Sequence, residues 1–222
     1  MRIVSWNCNG KFREKYRNIQ KIKADIYVIQ ECENPKKYME SEYNNFAKNY
    51  IWIGENENKG LGIFASEQIK IDKNNWKVYC LRNFLSIKIN DKFDVVGVWA
   101  CDPYIEEYYI YQSINIENYN RKTIIIGDFN SNSIWDKKHS NRNHTNVVNE
   151  LKNKGLLSAY HYFYKEKQGC ETKKTFYLYR HKDKGYHIDY CFIDKERIKK
   201  FEILNDARWL EISDHLPLVI EI

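Results

Sequence analysis

The sequence predicts an α/β fold whose buried strands end together at one polar rim, and three observations predict it. The first is the opening. Residues 2–6 are strand-like, residues 11–23 carry Phe12, Tyr16, Ile19 and Ile22 near helical spacing, and residues 25–30 form a second apolar strand. Strand, helix, strand in that order is the pattern of a parallel crossover unit. The second is a series of short alternating segments at 50–53, 62–65, 76–80, 84–89 and 93–99, which read as an antiparallel meander. The third is a set of five polar islands, each at the end of an apolar run: Ser5-Trp6-Asn7-Cys8-Asn9-Gly10, Gln30-Glu31, Gly127-Asp128-Phe129-Asn130-Ser131, His187-Ile188-Asp189-Tyr190 and Ser213-Asp214-His215. A strand that ends in a carboxylate or amide presents it at the sheet rim, where ligands bind.

The remaining elements follow from local signals. Asp102-Pro103 opens a helix, with Asp102 as N-cap, Pro103 at the first helical position and Glu106 and Glu107 in the first turn. Ile105, Tyr108, Tyr109, Gln112, Ile116 and Tyr119 form its inner stripe. Residues 123–126 are a buried strand. Val147, Val148, Leu151 and Leu156 mark a helix begun at Thr145 and ended near Gly155, and residues 186–193, 201–204 and 218–222 close the chain as strands. Residues 33–49 and 158–185 carry no clear pattern. The islands span residues 5 to 215, so one site needs both ends of the chain together, and residues 1–222 are expected to form a single domain.

Composition narrows the class. Hydrophobic residues make up 43% of the 222, and no apolar run approaches the ~18 residues of a membrane span. With no signal peptide visible and six cysteines lacking any CxxC pair, reduced thiols in a cytoplasm are expected, and a structural zinc site is not. The net charge is +6, with basic residues crowded between Asp136 and His144 and between Lys165 and Lys184. A basic rim suits a polyanion, although lysine and asparagine are abundant throughout the chain.

Each island has a bland reading beside a chemical one. Glu31 follows a run of apolar residues, where a carboxylate is costly to bury without a cation, yet it could cap a helix. Asn7 and Asn9 alternate with Cys8 and so share a face, and either could cap the next helix. Asp128 and Asn130 alternate about Phe129, and Gly127 permits close backbone approach, while Gly-Asp is also ordinary turn chemistry. Asp189 lies two residues beyond His187, on the same face, and a buried aspartate needs a partner such as a histidine. Asp214-His215 precedes Leu216-Pro217 in a tight loop. Together the islands supply what phosphoester hydrolysis requires: carboxylates for a hard cation, amides to position phosphate or water, and an imidazole to donate to a developing oxyanion. There is no Gly-rich phosphate loop, no GxSxG and no HExxH.

In identity, order and spacing the five islands resemble the endonuclease/exonuclease/phosphatase superfamily over essentially the whole chain. Arg2-Ile3-Val4-Ser5-Trp6-Asn7-Cys8-Asn9-Gly10 through Gln30-Glu31 is most similar to the exonuclease III side. The resemblance implies a four-layer α/β/β/α sandwich of two mixed sheets flanked by helices. It also implies a Mg²⁺-dependent hydrolase, with Mn²⁺ as a substitute. Glu31 matches the principal metal ligand, Asn7 and Asn9 match positions supporting metal and phosphate, and Asp214 matches a second acidic position near the metal. Asp128 matches the residue that prepares the attacking water, Asn130 its companion at the phosphate, and His215 the transition-state donor held by Asp189.

The departures bear on substrate. Deoxyribonuclease I and the phosphatases carry a histidine at the end of the central strand, and Val98-Trp99-Ala100-Cys101-Asp102 has none. Trp99 falls where exonuclease III-type members have an aromatic and Asp102 where they have an amide, leaving Asp102 open between phosphate-site residue and N-cap. Trp135, Lys137, Lys138, His139, Arg142 and His144 follow the Asp128 motif and are expected at the mouth, with Tyr177 and His187 as further substrate contacts. The reading is a nuclease acting on DNA or RNA as a monomer with no membrane segment. The alternatives are a small-molecule or lipid-headgroup phosphoesterase and a catalytically inactive nucleic-acid-binding module.

Overall fold

The computed structural model describes residues 1–38 and 41–222, so part of the 33–49 stretch that carries no sequence pattern lies outside the described residues. In chain order the strands are β1 (Arg2–Asn7), β2 (Ile26–Cys32), β3 (Tyr50–Asn56), β4 (Lys59–Ala65), β5 (Ile71–Lys73), β6 (Phe84–Ile89), β7 (Phe93–Trp99), β8 (Thr123–Asp128), β9 (Leu157–Ser158), β10 (Phe176–Tyr177), β11 (Gly185–Tyr186), β12 (Asp189–Ile193), β13 (Lys200–Ile203) and β14 (Leu218–Glu221). The helices are α1 (Phe12–Gln20), α2 (Ser41–Phe46), α3 (Ile105–Asn115), α4 (His144–Asn153), α5 (Ala159–Tyr164) and α6 (Ala207–Ile212).

Two six-stranded mixed sheets result, ordered β13-β14-β1-β2-β4-β3 and β5-β6-β7-β8-β12-β9, with β10 and β11 as a separate hairpin. Period-two alternation divides each strand's side chains between an inner and an outer core. Ile3, Val28, Ile63, Ile87, Val95, Ile124, Ile126 and Ile220 face inward and fill the space between the sheets. Val4, Ile29 and Phe64 face outward beneath Phe12, Tyr16 and Tyr43, while Val96, Val98 and Ile125 face outward beneath Tyr108, Val147 and Leu151. Three apolar layers between four structural ones make the α/β/β/α sandwich. The opening strand–helix–strand unit is parallel as expected, with Ser5 opposite Val28 and Asn7 opposite Gln30.

Several elements differ from the sequence reading. The meander divides: β3 and β4 complete the first sheet, whereas β5, β6 and β7 build the second. Residues 76–80 form no strand. There the Asn115 side chain accepts from Lys77 N at 3.1 Å and donates to Lys77 O at 2.8 Å, replacing a strand partner. Asp102 does not cap α3. The helix begins three residues later, after Tyr104 at φ 57°, and has no side-chain cap, while Asp102 lies exposed on the preceding turn. Helix α4 is capped by Asn143, which accepts from Asn146 N, so His144 and not Thr145 is its first residue.

At the centre of the second sheet Gly127 pairs with Val98. Its φ is 152°, and a Cβ there would lie 2.0 Å from Val98 O. Only a bare Cα lets β8 lie this close to β7 while delivering the next residue to the rim. Gly127→Ala is therefore expected to lower stability by roughly 2–4 kcal/mol through strain and overpacking, read as a fall in the urea midpoint at unchanged m-value.

Candidate active site

The ends of six strands meet at one rim. The parallel pairs β1–β2 and β7–β8 bring Asn7, Glu31, Trp99 and Asp128 to it from their C-terminal ends. The antiparallel pairing of β12 with β8 sets Asp189 directly opposite Asp128. Antiparallel pairing of β14 with β1 returns the preceding loop, with Asp214 and His215, to the same edge.

Asp128 is fully buried and is the hub. Its Oδ1 accepts from Asn130 N at 2.8 Å, and its Oδ2 accepts from Asn7 Nδ2 at 2.9 Å and Asn130 Nδ2 at 3.1 Å. Asn130 adopts φ 46°, which folds its side chain back onto Asp128 and Ala100 O. Asn7 also donates to Glu31 Oε1 at 3.2 Å, so one amide joins carboxylates from both sheets. His215 lies between two aspartates, with Nδ1 3.0 Å from Asp189 Oδ2 and Nε2 3.9 Å from Asp128 Oδ2. Burial pushes Asp128 up to about 7, against the pull of His215. Burial would lower His215, but Asp189 and Asp128 raise it to about 10, so the imidazole is cationic at neutral pH.

Local structure holds these groups in place. Thr175 Oγ1 accepts from Ile188 N and Asp189 N, and Thr175 O accepts from Leu216 N, clamping β12 to the His215 loop. Ser213 Oγ donates to Asn7 O and accepts from His215 N, tying that loop to β1. Trp6 Nε1 donates to His215 O. Glu31 sits in a β-bulge between Gln30 and Cys32 at φ 62°, and this turns its carboxylate to the rim instead of into the outer core. Lys59, at the start of β4, pairs with Glu31 Oε2 at 2.8 Å and lies 5.4 Å from the Trp99 ring centroid.

Not every expected residue converges. Asn9 is exposed at φ 53°, and its backbone N–H caps Asn7 Oδ1, so it shapes the Asn7 turn and does not share its face. His187 is buried with Nδ1 on Lys173 O, and Asp189 takes His215 as its partner instead. His144 is buried against Tyr190, 4.7 Å between centroids, and not at the mouth. Burial lowers both His144 and His187 to about 4. His139 pairs with Glu106 at 3.0 Å, whereas Lys137, Lys138 and Arg142 are exposed. Tyr177 packs against the inter-sheet core, and its neighbour Phe176, facing the other way on β10, lies 4.7 Å from the His215 ring. Tyr186, opposite Phe176, packs on Trp135 at 5.3 Å, which makes an aromatic wall beside the carboxylates. Asp214 is partly exposed, and its carbonyl accepts from Tyr177 N.

Lys59, Thr175 and Asn132 make site contacts that were not expected of them. Asn132 donates to Glu171, His187 O and Tyr190 Oη, anchoring the segment after Asp128. The Asn-x-Asn spacing of residues 130 and 132 is a usable signal for it. Lys59, beside a hairpin turn, offers none.

No family model matches the chain, and no curated protein does. Solved structures do match over its full length. A 3′ phosphatase from Neisseria bound to product DNA hairpin is 17% identical with a TM-score of 0.74, covering 100% of this chain and 99% of that one. An AP endonuclease from Archaeoglobus fulgidus is 18% identical with a TM-score of 0.71, covering 99% and 98%. The endonuclease domain of TRAS1, a telomere-specific non-LTR retrotransposon, is 17% identical with a TM-score of 0.66, covering 99% and 96%. The four-layer sandwich that the family resemblance implies is the fold of these proteins.

Proposed function

We propose that this chain is a divalent-metal-dependent phosphoester hydrolase, a nuclease acting on DNA or RNA phosphodiesters as a monomer. The observation that carries the reading is the Asp189–His215–Asp128 line with Asn7 and Asn130 on the shared carboxylate. An imidazolium held by one aspartate and facing another is built to donate to charge that develops on a phosphate oxygen. Asp128, raised toward neutrality, is suited to take a proton from an attacking water. Asn130 and Asn7 fix its orientation.

The donor set fits a hard cation. Glu31 and Asp128 bring carboxylate oxygens to one rim, bridged by the Asn7 amide nitrogen, and Glu31 already holds a cationic group, the Lys59 ammonium, at 2.8 Å. Asp128, Asp189 and His215 also place one ligand atom each within 4.8 Å of one another. There, however, the His215 charge supplies the cation, so Glu31 is the better candidate for Mg²⁺, or Mn²⁺ in its place. When bound, the metal would neutralise charge on the scissile phosphate and its leaving oxygen. The protein residues align water and phosphate and exclude bulk solvent from the buried half of the site.

The substrate class rests on the rim. Exposed Lys137, Lys138 and Arg142 lie on the segment that also carries Trp135, and the Trp135–Tyr186 and Phe176 faces can stack a base or sugar. The neighbour solved with a DNA hairpin product is consistent with a nucleic-acid substrate. Among the described residues no helix is long and apolar enough to cross a membrane.

Turnover of labelled single-stranded DNA, duplex DNA, abasic duplex and RNA, with bis-p-nitrophenyl phosphate alongside, tests the reading. Cleavage of a polymer that requires Mg²⁺ and is lost in Asp128→Ala supports it. Hydrolysis of the small ester with polymers intact would replace it with a small-molecule phosphoesterase.

Three further outcomes are expected. Activity against pH should rise as Asp128 loses its proton, near 7 or below it with metal bound, and fall as His215 loses its own toward about 10. In Asp189→Asn the imidazole loses its main anionic partner, so the alkaline limb should move to lower pH and kcat should fall by roughly 10²–10⁴-fold. An unmoved alkaline limb would remove His215 from the chemistry. Glu31→Gln should leave the unfolding free energy from urea titration within about 0.5 kcal/mol of the parent, while isothermal titration shows Mn²⁺ binding lost.

A further inference from the structure

The β2 bulge that turns Glu31 outward sets it beside the first residue of β4, because Cys32 pairs with Gly60 immediately after the register shift. Lys59 precedes Gly60, just past the tight turn that joins β3 to β4. Its ammonium meets Glu31 Oε2 at 2.8 Å, while Asn7 holds Oε1. The same ammonium stands 5.4 Å from the ring centroid of Trp99, which ends β7 of the opposite sheet. Lys59 therefore spans the mouth from one sheet to the other. About half of its side chain is exposed, against 18% for Glu31.

We propose that Lys59 is a displaceable counter-ion, a positioning residue that neutralises and orients Glu31 in the metal-free protein and yields the carboxylate to the divalent cation. The inference rests on the reading of Glu31 as a metal ligand. Both ions seek the same oxygen, and an ammonium within contact distance of a bound divalent cation is repelled by it. An ion pair this exposed is weak and reversible, which suits a group that has to leave. The Trp99 face gives the displaced ammonium a place to stay, since cation–π attraction does not depend on Glu31. Arg2 with Glu221, an ordinary surface pair, is built differently: its guanidinium also donates to Ile22 O, a fixed backbone group.

The test measures metal binding without substrate. Mn²⁺ is titrated into the parent protein, Lys59→Met and Lys59→Arg, with free Mn²⁺ read by electron paramagnetic resonance. Lys59→Met keeps an apolar stem on Trp99 and removes the competing charge, so it should bind Mn²⁺ roughly three- to tenfold more tightly. Lys59→Arg, which retains the charge, should stay within about twofold of the parent. Equal or weaker binding by Lys59→Met overturns the proposal. The second readout is the acetylation rate of Lys59 in the parent, followed by peptide mass spectrometry. It should rise on adding Mg²⁺, and a rate that stays level or falls overturns the proposal. Should neither parent nor variants bind Mn²⁺, the metal reading of Glu31 fails and the competition falls with it. Mn²⁺ binding that is lost in Glu31→Gln but unaltered in Lys59→Met defeats the competition alone.

Discussion

The structure turns on a carboxylate buried where two sheets meet. Asp128 ends a strand that is buried on both faces, and its side chain has no exposed surface. Burial of an isolated anion there would be prohibitive. The fold answers with Asn7 from the other sheet, Asn130 from its own strand end and an imidazolium from the loop before β14. Asn7 and the His215 loop belong to the first sheet and Asp128 to the second, so the site exists only when both sheets are packed face to face. The same contacts that satisfy Asp128 therefore also set how the rims align. Site geometry and sheet packing are one constraint.

The backbone around this centre is arranged to leave little freedom. Thr175 and Ser213 are small hydroxyl residues, each buried, and each joins the His215 loop to a strand end. Asn132 fixes the other side of the Asp128 turn through Glu171, a buried carboxylate. Although burial would raise Glu171, hydrogen bonds from His161, Asn132 and Gly169 N hold it down to about 2. His144 and His187 pack on Tyr190 in the same region, and burial keeps both neutral. The two kinds of histidine are told apart by their neighbours. Among the described residues, only His215 faces carboxylates with both ring nitrogens.

The strand ends are legible in the sequence because apolar runs that stop at a carboxylate or amide are rare without a cause. Glu31, Asn7, Asp128, Asn130, Asp189 and His215 all meet at the rim. Arguments from one residue's local pattern fare worse. Alternation puts Asn9 with Asn7, but the strand ends at Asn7 and the chain then turns through positive φ. Proximity in sequence puts His144 at the mouth and His187 on Asp189, yet a helix start and a strand entry turn both rings inward. Asp102-Pro103 satisfies every helix-start rule, and the chain makes a turn first. Lys59 leaves no trace in the sequence, because its contacts depend on a bulge in one strand and a tryptophan in the other sheet.

Exposure divides the site into two halves with different mechanical character. Asn7, Asp128, Asp189 and His215 are each at most 4% exposed and hydrogen-bonded or ion-paired to one another, so their geometry is set before any ligand arrives. Preorganised dipoles and charges cost no reorganisation when charge develops on a bound phosphate. Glu31, Lys59, Asp214 and the Trp135–Tyr186 face lie nearer solvent on bulges, turns and a short hairpin, where side chains can exchange partners. On the proposed reading, reaction chemistry falls to the half that is held, and recognition of cation and substrate to the half that can adjust. Such a division suits a sandwich that carries a 3′ phosphatase and an AP endonuclease alike. The packing of two sheets constrains the buried line of charge, and it leaves the loops and hairpins of the rim free to differ.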